Sequence, residues 1–415
     1  MGADFTSFIS NKVAVAPGDV SCEDLAIQDA NLKEEMWREI DVIVNLAATT
    51  RFDERYDISL NINTFGAKYV LDFAKKCSHI KTLVQVSTAY VSGERIGLLL
   101  EEPYHVGATL LGLDIEEEKR LLHQKLDQLH AVAATDDSIK LAMKDLGIQR
   151  ARKYGWPNVY VFTKALGEMI LLQSNDDIPL VIIRPTIITS TYKEPFPGWI
   201  EGFRTLDSVI AAYGKGRLTH MPCDTETILD LIPADMVVNA IITAMVAHAN
   251  QHSVDTMIYG VGSSMKNPPK ITLIANLAYR YFTKHPIING EGNPIIVSKP
   301  KPLSSMASFR RYIAMHYLLP LKVLELTNIA FCQRFRGTYM KLRKKFDSLM
   351  RYIDIYLPYL FFKGIYDDIN TEKLWAAARE GGVETDVFYF DPKVIDWEDY
   401  LMNTHFSGVV KYALR

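Results

Sequence analysis

Cysteine is scarce in this chain. Its four copies, Cys22, Cys77, Cys223 and Cys332, are scattered through 415 residues with no CxxC pair and no cluster of His and Cys. That spacing speaks against a disulfide framework or a zinc site, so no bound metal is expected and a reducing compartment is. Charge of one sign is lacking too. With 46 Lys and Arg against 49 Asp and Glu, the net charge is −3, without the basic excess of a nucleic-acid binder. No run reaches the roughly 18 uncharged apolar residues of a membrane span. The N-terminus has neither the basic start nor the apolar stretch of a secretory signal. The chain is therefore expected inside the cell, either soluble or lying on a membrane surface. Met1-Gly2-Ala3-Asp4-Phe5-Thr6 does fit the loose pattern for N-myristoylation, a pattern too short to carry weight alone.

What is present is a rhythm. Short Val- and Ile-rich runs at Val13–Val15, Asp41–Ala47, Thr82–Ser87 and Leu180–Ile188 read as buried strands, with a late one at Met257–Val261. Helical patterns lie between them. Phe65–Cys77 carries one apolar stripe, Val159–Leu172 is a second helix, and Ala234–Ala247 a third, started by Asp235. Strands alternating with helices predict an α/β domain with a parallel sheet. Two amphipathic stretches, Glu116–Leu129 and Ser138–Tyr154, interrupt the rhythm as a helical insertion at about 94–155. It reads either as a cover over the ligand-binding sheet edge or as a structural flap.

The expected division is an α/β domain over 1–300 and a mainly α-helical one over 308–415. A linker containing Asn267, Pro268, Pro269, Pro294 and Lys299–Pro302 leads from one composition to the other. The helical part is aromatic and basic, with Lys341, Arg343, Lys344 and Lys345 near Tyr352, Tyr356, Tyr359, Phe361 and Phe362. Two readings stay open for it. Its apolar stripe packs within a domain, or it faces a membrane with aromatics at the interface.

Tyr160-Val-Phe-Thr-Lys164 sets a phenol and an ammonium one helical turn apart, on one face. A carbonyl being reduced by hydride needs a proton donor, and a neighbouring cation lowers a tyrosine's pKa by favouring phenolate. A YxxxK pair alone is common on helix surfaces. Here it follows a strand ending Val84-Gln85-Val86-Ser87-Thr88, which puts hydroxyls where open α/β sheets bind ligands. The earlier strand ends Asn45-Leu46-Ala47-Ala48, Asn61–Gly66 leads into a helix, and a later strand ends Arg184-Pro185-Thr186.

That ordered set resembles the extended short-chain dehydrogenase/reductases. More closely, Asn45–Phe52, Val86–Val91 and Gly155–Glu168 resemble plant-type alcohol-forming fatty acyl-CoA reductases. The 72 positions from Thr88 to Tyr160 (160 − 88) match that family's insertion, and the tail resembles its male-sterility domain. The resemblance implies a Rossmann-like doubly wound sheet. It implies reduction of long-chain acyl-CoA to a primary alcohol through an aldehyde, consuming two NADPH, at the endoplasmic reticulum surface, in the cytoplasm or in a plastid. Tyr160 would be the proton donor, with Thr88 beside it and Lys164 on the nicotinamide ribose. Either Ser87 or Thr88 answers to the family's hydroxyl, with Thr88 preferred. Ala47, Ala48, Asn63, Ser87, Pro185 and Thr186 match cofactor-lining positions, and Asp19 would sit near adenine. Asn63 and Asp19 read equally as turn residues.

The family's TGxxGFxG turn, which holds the pyrophosphate at a helix N-terminus, has no match here. Phe8–Val13 and Gly18–Ser21 already resemble the third strand. The sheet is therefore expected to lack its first two strand–helix units, and the chain to bind NADPH weakly. Two alternatives follow: another extended reductase acting on a sugar nucleotide, or a non-catalytic relic or binding partner.

Overall fold

The computed structural model describes residues 3–103, 112–175, 177–218, 220–249 and 255–414. The acylation pattern at Gly2 and residues 104–111 of the insertion lie outside the described residues.

Four of the apolar runs form one parallel sheet: β1 (Val42–Asn45), β2 (Thr82–Val86), β3 (Leu180–Pro185) and β4 (Met257–Val261), in spatial order β1-β2-β3-β4. Strand side chains alternate between faces, and the two faces feed different cores. Leu83, Ile182 and Ile258 turn toward Ala67, Val70, Leu71 and Leu171, on α1 (Gly66–Ala74) and α4 (Val159–Ser174). Val84, Val181, Ile183 and Tyr259 turn toward Met236, Ala240 and Ala244 of α6 (Ala234–Ala249). Burial on both faces is why these strands are continuously apolar rather than alternating.

The insertion supplies α2 (Ile115–Ala131) and α3 (Asp136–Lys153). Asp114 caps the first by accepting from the amides of Glu116 and Glu117, and Thr135 caps the second through Ser138. Further on come α5 (Thr205–Gly214), α7 (Ile271–Lys284), α8 (Leu319–Ala330), the long α9 (Arg336–Leu360) and α10 (Ile369–Glu380). Phe309, Ile313, Leu321, Phe346 and Ile353 pack in a cluster of their own, whereas Leu360, Leu374, Trp397, Tyr400 and Phe406 join the main core.

Two expectations are corrected. Phe8–Lys12 is helical, and Val13–Val15 forms no strand; Val13 and Val15 are 55% and 91% exposed. A three-residue apolar run with no partner strand and no covering helix has nothing to bury against, and β-propensity alone does not supply it. Among the described residues β1 is paired with β2 only. Asp235 does not start α6 as a cap. Its carboxylate instead accepts from the amides of Tyr192, Lys193 and Glu194, fixing the loop after β3.

One buried carboxylate ties distant segments together. Gly97–Leu99 pairs in parallel with Gly364–Tyr366. Just beyond, Glu101 accepts from Gly260 N at 2.6 Å, from Thr371 Oγ1 at 3.0 Å and from Asn370 N. It thereby joins β4 to the first turn of α10, where the helix dipole favours negative charge. Burial outweighs these donors and pushes its pKa up to about 7. An acid raised above its unfolded value stabilises the fold at low pH, and that contribution is lost as pH rises through about 7. Glu101→Gln is therefore expected to flatten the fall in urea midpoint between about pH 5 and about pH 8. Equal slopes for parent and variant would refute this assignment.

Candidate active site

Helix α4 begins at Asn158, whose side chain accepts from Val161 N at 3.1 Å. Between Val159 and Leu171 every residue is buried except Tyr160, which keeps partial exposure. So apolar a helix is held by packing on all sides, and the exception marks the one face left open to a ligand. Across from it β2 ends, and Ser87 and Thr88 lead into a short turn, Ala89–Ser92, which Thr88 caps through Tyr90 N. Thr88 Oγ1 donates to Pro185 O at 3.4 Å.

Burial pushes the Tyr160 phenol up to about 12, and its hydrogen bond with Thr88 works the other way. At neutral pH the phenol is protonated and poised as a donor. Lys164, one turn along, is 3% exposed and donates from Nζ to Val86 O at 2.6 Å. Burial lowers its pKa to about 8, opposed by the charge of Glu168. The expectation that Lys164 depresses the Tyr160 pKa is not met in this arrangement, because the ammonium is spent on a strand-end carbonyl and desolvation dominates the phenol. Glu168 itself is held by Arg184 of β3 through two contacts, Nε–Oε1 at 3.1 Å and Nη2–Oε2 at 2.6 Å, at 4% and 2% side-chain exposure. This pair fixes α4 against the sheet.

The C-terminal region covers the site. Phe52 stacks on Tyr160 at 5.8 Å with 12° between planes, and on Tyr359 at 5.4 Å. Tyr356 reaches Phe52 at 5.7 Å, and Tyr90 meets Tyr359 edge-on at 5.1 Å. Asn158 Nδ2 donates to Tyr359 Oη at 2.7 Å, so the residue that caps α4 also anchors the end of α9. Of the aromatics for which packing and a membrane-facing role both stayed open, Tyr359 is turned inward, where burial raises its phenol pKa, and Phe362 packs on Tyr90 at 5.9 Å. The Tyr352 side chain lies outside the described residues. Sequence reading missed this cover; its one signal was Phe52 inside the same motif as Ala47 and Ala48.

The remaining residues differ in what they contact. Ser87 is buried, and its Oγ has no hydrogen-bond partner among the described residues. Ala47 and Ala48 follow β1 at the carboxyl edge, with Ala47 N donating to Asn45 Oδ1. Asn63 is spent internally: its amide nitrogen donates to Thr49 O and Thr163 Oγ1, and its oxygen accepts from Thr49 N, so it pins the loop after β1 onto α4. Asp19 is exposed and accepts from Ser21 N and Oγ, a local turn contact that holds its carboxyl below its ordinary value. Pro185 ends β3. Thr186 donates to Asp230 Oδ1 at 3.0 Å, a buried carboxylate missed from sequence that also accepts from Ser263 and Ser264 amides. Burial raises its pKa against those donors. A Cβ on Gly262 would lie 2.5 Å from Thr186 Cγ2, so the strand ends approach closely there. An orphan hydroxyl, a lysine and side-chain-poor strand ends suit the nicotinamide and ribose of a dinucleotide.

A parallel sheet with hydroxyl, tyrosine and lysine at its carboxyl edge defines a reductase of the short-chain dehydrogenase class. A NAD-binding family model described as "Male sterility protein" matches residues 3–241, and a second, also "Male sterility protein", matches 316–415. "Alcohol-forming fatty acyl-CoA reductase" of Simmondsia chinensis is 62% identical, over 100% of this chain and 85% of its own length. "Fatty acyl-CoA reductase 1" of Arabidopsis thaliana is 50% identical over the same shares. The terminal R domain of the myxalamid PKS-NRPS pathway shares the fold, with a TM-score of 0.55 at 15% identity over 97% of this chain and 76% of that one. The chain belongs to the fatty acyl-CoA reductase family of male sterility proteins.

Thr88 and Ser87 can be separated by mutation. Thr88→Ala is expected to lower turnover more than Ser87→Ala, because the Thr88 hydroxyl is the one that acts on the Tyr160 phenol. Steady-state kinetics showing the reverse order would transfer the role to Ser87.

Proposed function

We propose that this chain reduces long-chain fatty acyl-CoA to the primary alcohol through the aldehyde, with NADPH as reductant. The reading rests chiefly on Tyr160, the one residue from Val159 to Leu171 that keeps some exposure, beside Thr88 and beneath an aromatic cover. The nicotinamide, when bound, supplies one hydride in each of the two reductions. Thr88 and Tyr160 hydroxyls donate toward the carbonyl oxygen and stabilise the charge that develops there. In the first reduction that charge collapses with loss of the coenzyme A thiolate, leaving the aldehyde. In the second, Tyr160 gives its proton to the oxygen and the alcohol forms. Lys164, cationic below about pH 8, would hold the ribose, and Ser87, Ala47, Ala48, Pro185 and Thr186 would line the cofactor. The choice of NADPH over NADH, and a site of action in the cytoplasm or on the endoplasmic reticulum, follow the family resemblance. A sugar nucleotide suits the aromatic cover, whose Tyr359 hydroxyl is taken by Asn158, less well.

Tyr160→Phe keeps the ring and its stack on Phe52 while removing the proton donor. Alcohol formation from acyl-CoA is expected to fall on the order of a hundredfold or more, the usual worth of a general acid. A variant keeping over about a tenth of parental turnover would refute the donor role.

A peripheral membrane contact belongs to the same reading. No helix among the described residues is long and apolar enough to cross a membrane. Yet α8 exposes Leu319, Val323, Leu326 and Ile329, and the turn into α9 exposes Phe331 and Phe335. Exposed Lys322, Arg334, Arg336 and Lys341 flank them. Apolar crests bordered by basic residues suit an anionic bilayer surface. The protein is expected to sediment with anionic liposomes, less so as salt rises, and Phe331→Asp to weaken this. Recovery of all the protein in the supernatant would end the membrane reading.

A further inference from the structure

One buried charge takes no part in the proton transfer. Asp230 is 3% exposed. Its carboxylate accepts from Thr186 Oγ1 at 3.0 Å, Ser263 N at 2.6 Å, Ser263 Oγ at 3.2 Å and Ser264 N at 3.1 Å. Two of these donors are backbone amides, which cannot take a carboxyl proton, so they hold the group ionised although burial opposes them. The buried carboxylates Glu168 and Glu118 are paired with Arg184 and Arg150. Asp230 forms no ion pair among the described residues, and no cluster there could make it a metal ligand. A buried charge without a counter-charge is costly, which points to a cation that arrives with a ligand.

Its place says which cation. Asp230 draws together the residues just past the carboxyl ends of β3 and β4, Thr186 after Pro185 and Ser263 and Ser264 after Val261. A Cβ on Gly262 would lie 2.8 Å from Asp230 Oδ1, so that side of the carboxylate carries no screening side chain. Its field reaches the turn that follows Thr88: burial first, and after it the charge of Asp230, raise the Tyr90 phenol. Pro185 and Thr186 are the positions read above as nicotinamide-lining. That ring is neutral in NADPH and carries one positive charge in NADP+. As a hydride passes to the carbonyl carbon, the C=O π pair moves to oxygen and the ring is left positive. A fixed negative charge close by stabilises that positive charge as it develops, without having to reorganise.

We propose that Asp230 is the counter-charge of the oxidised nicotinamide, and that it favours hydride departure by holding NADP+ more tightly than NADPH. This rests on the reductase reading above. The two cofactor forms share every phosphate and ribose and differ in the charge of the ring. The ratio of their dissociation constants therefore isolates the ring, and weak phosphate binding cancels from it. Calorimetric titrations of the full chain with NADP+ and with NADPH, no acyl-CoA present, should show tighter binding of NADP+. In Asp230→Asn, NADP+ affinity is expected to fall on the order of tenfold further than NADPH affinity, a modest effect for removing a unit charge at short range. A residue that only braced the strand ends would weaken both forms alike. A folded Asp230→Asn with the parent's ratio would overturn the proposal. Should that variant not fold, the parent alone decides, because tighter binding of NADPH than of NADP+ would overturn it too. Binding of neither form would remove the nicotinamide from these strand ends, and the reductase reading would fall first.

Discussion

The pairing of Arg184 with Glu168 sets where everything at this site stands. Both groups are almost wholly buried, and a buried ion pair gains little net stability because desolvating two charges offsets their attraction. What the pair supplies is register. It permits α4 one rotation and one height against β3, and those settings bring Tyr160 level with Thr88 and Lys164 level with the end of β2. Arg184 also donates from Nη1 to Glu102 O at 3.0 Å, so the start of the helical insertion is indexed to the same strand. A cut through this pair would leave an uncompensated charge in the core and release the helix that carries Tyr160 and Lys164.

Around that fixed helix the molecule is assembled from segments far apart in sequence. Asn158 and Tyr359 are separated by 201 positions and joined by one hydrogen bond. Glu101 spans from the insertion to α10, and Asp230 gathers the ends of β3 and β4. These contacts give the site its dryness: an aromatic roof on one side, buried carboxylates beneath the loops, and a helix buried from Val161 to Leu171. In such surroundings a hydrogen bond aimed at developing charge counts for more than it would in water.

How much of this could be read beforehand follows from range. The Val- and Ile-rich runs at Thr82–Val86 and Leu180–Pro185 announced buried parallel strands because composition there answers to both sheet faces. Tyr160 and Lys164 were legible because their spacing is a property of one helix. The run Val13–Val15 misled because three residues carry no information about whether a neighbour exists. Tyr359 over Tyr160 was unreadable for the opposite reason: aromatic residues near a basic cluster describe a surface and a packed roof equally well, and only the chain's path through space decides. Likewise the spacing of Lys164 from Tyr160 gave proximity, but not that the ammonium would turn to Val86 instead.

The double use of Tyr356 and Tyr359 bears on how enzymes of this kind can diverge. Each ring is at once a wall of the apolar cavity between α5, α7 and the end of α9 and part of the packing around Tyr160. A change there cannot alter one without disturbing the other. Leu206, Ile210, Ala275 and Ala278 line the cavity without entering that aromatic stack. Substitutions along α5 and α7 can therefore reshape the cavity while the packing around Tyr160 stays as it is.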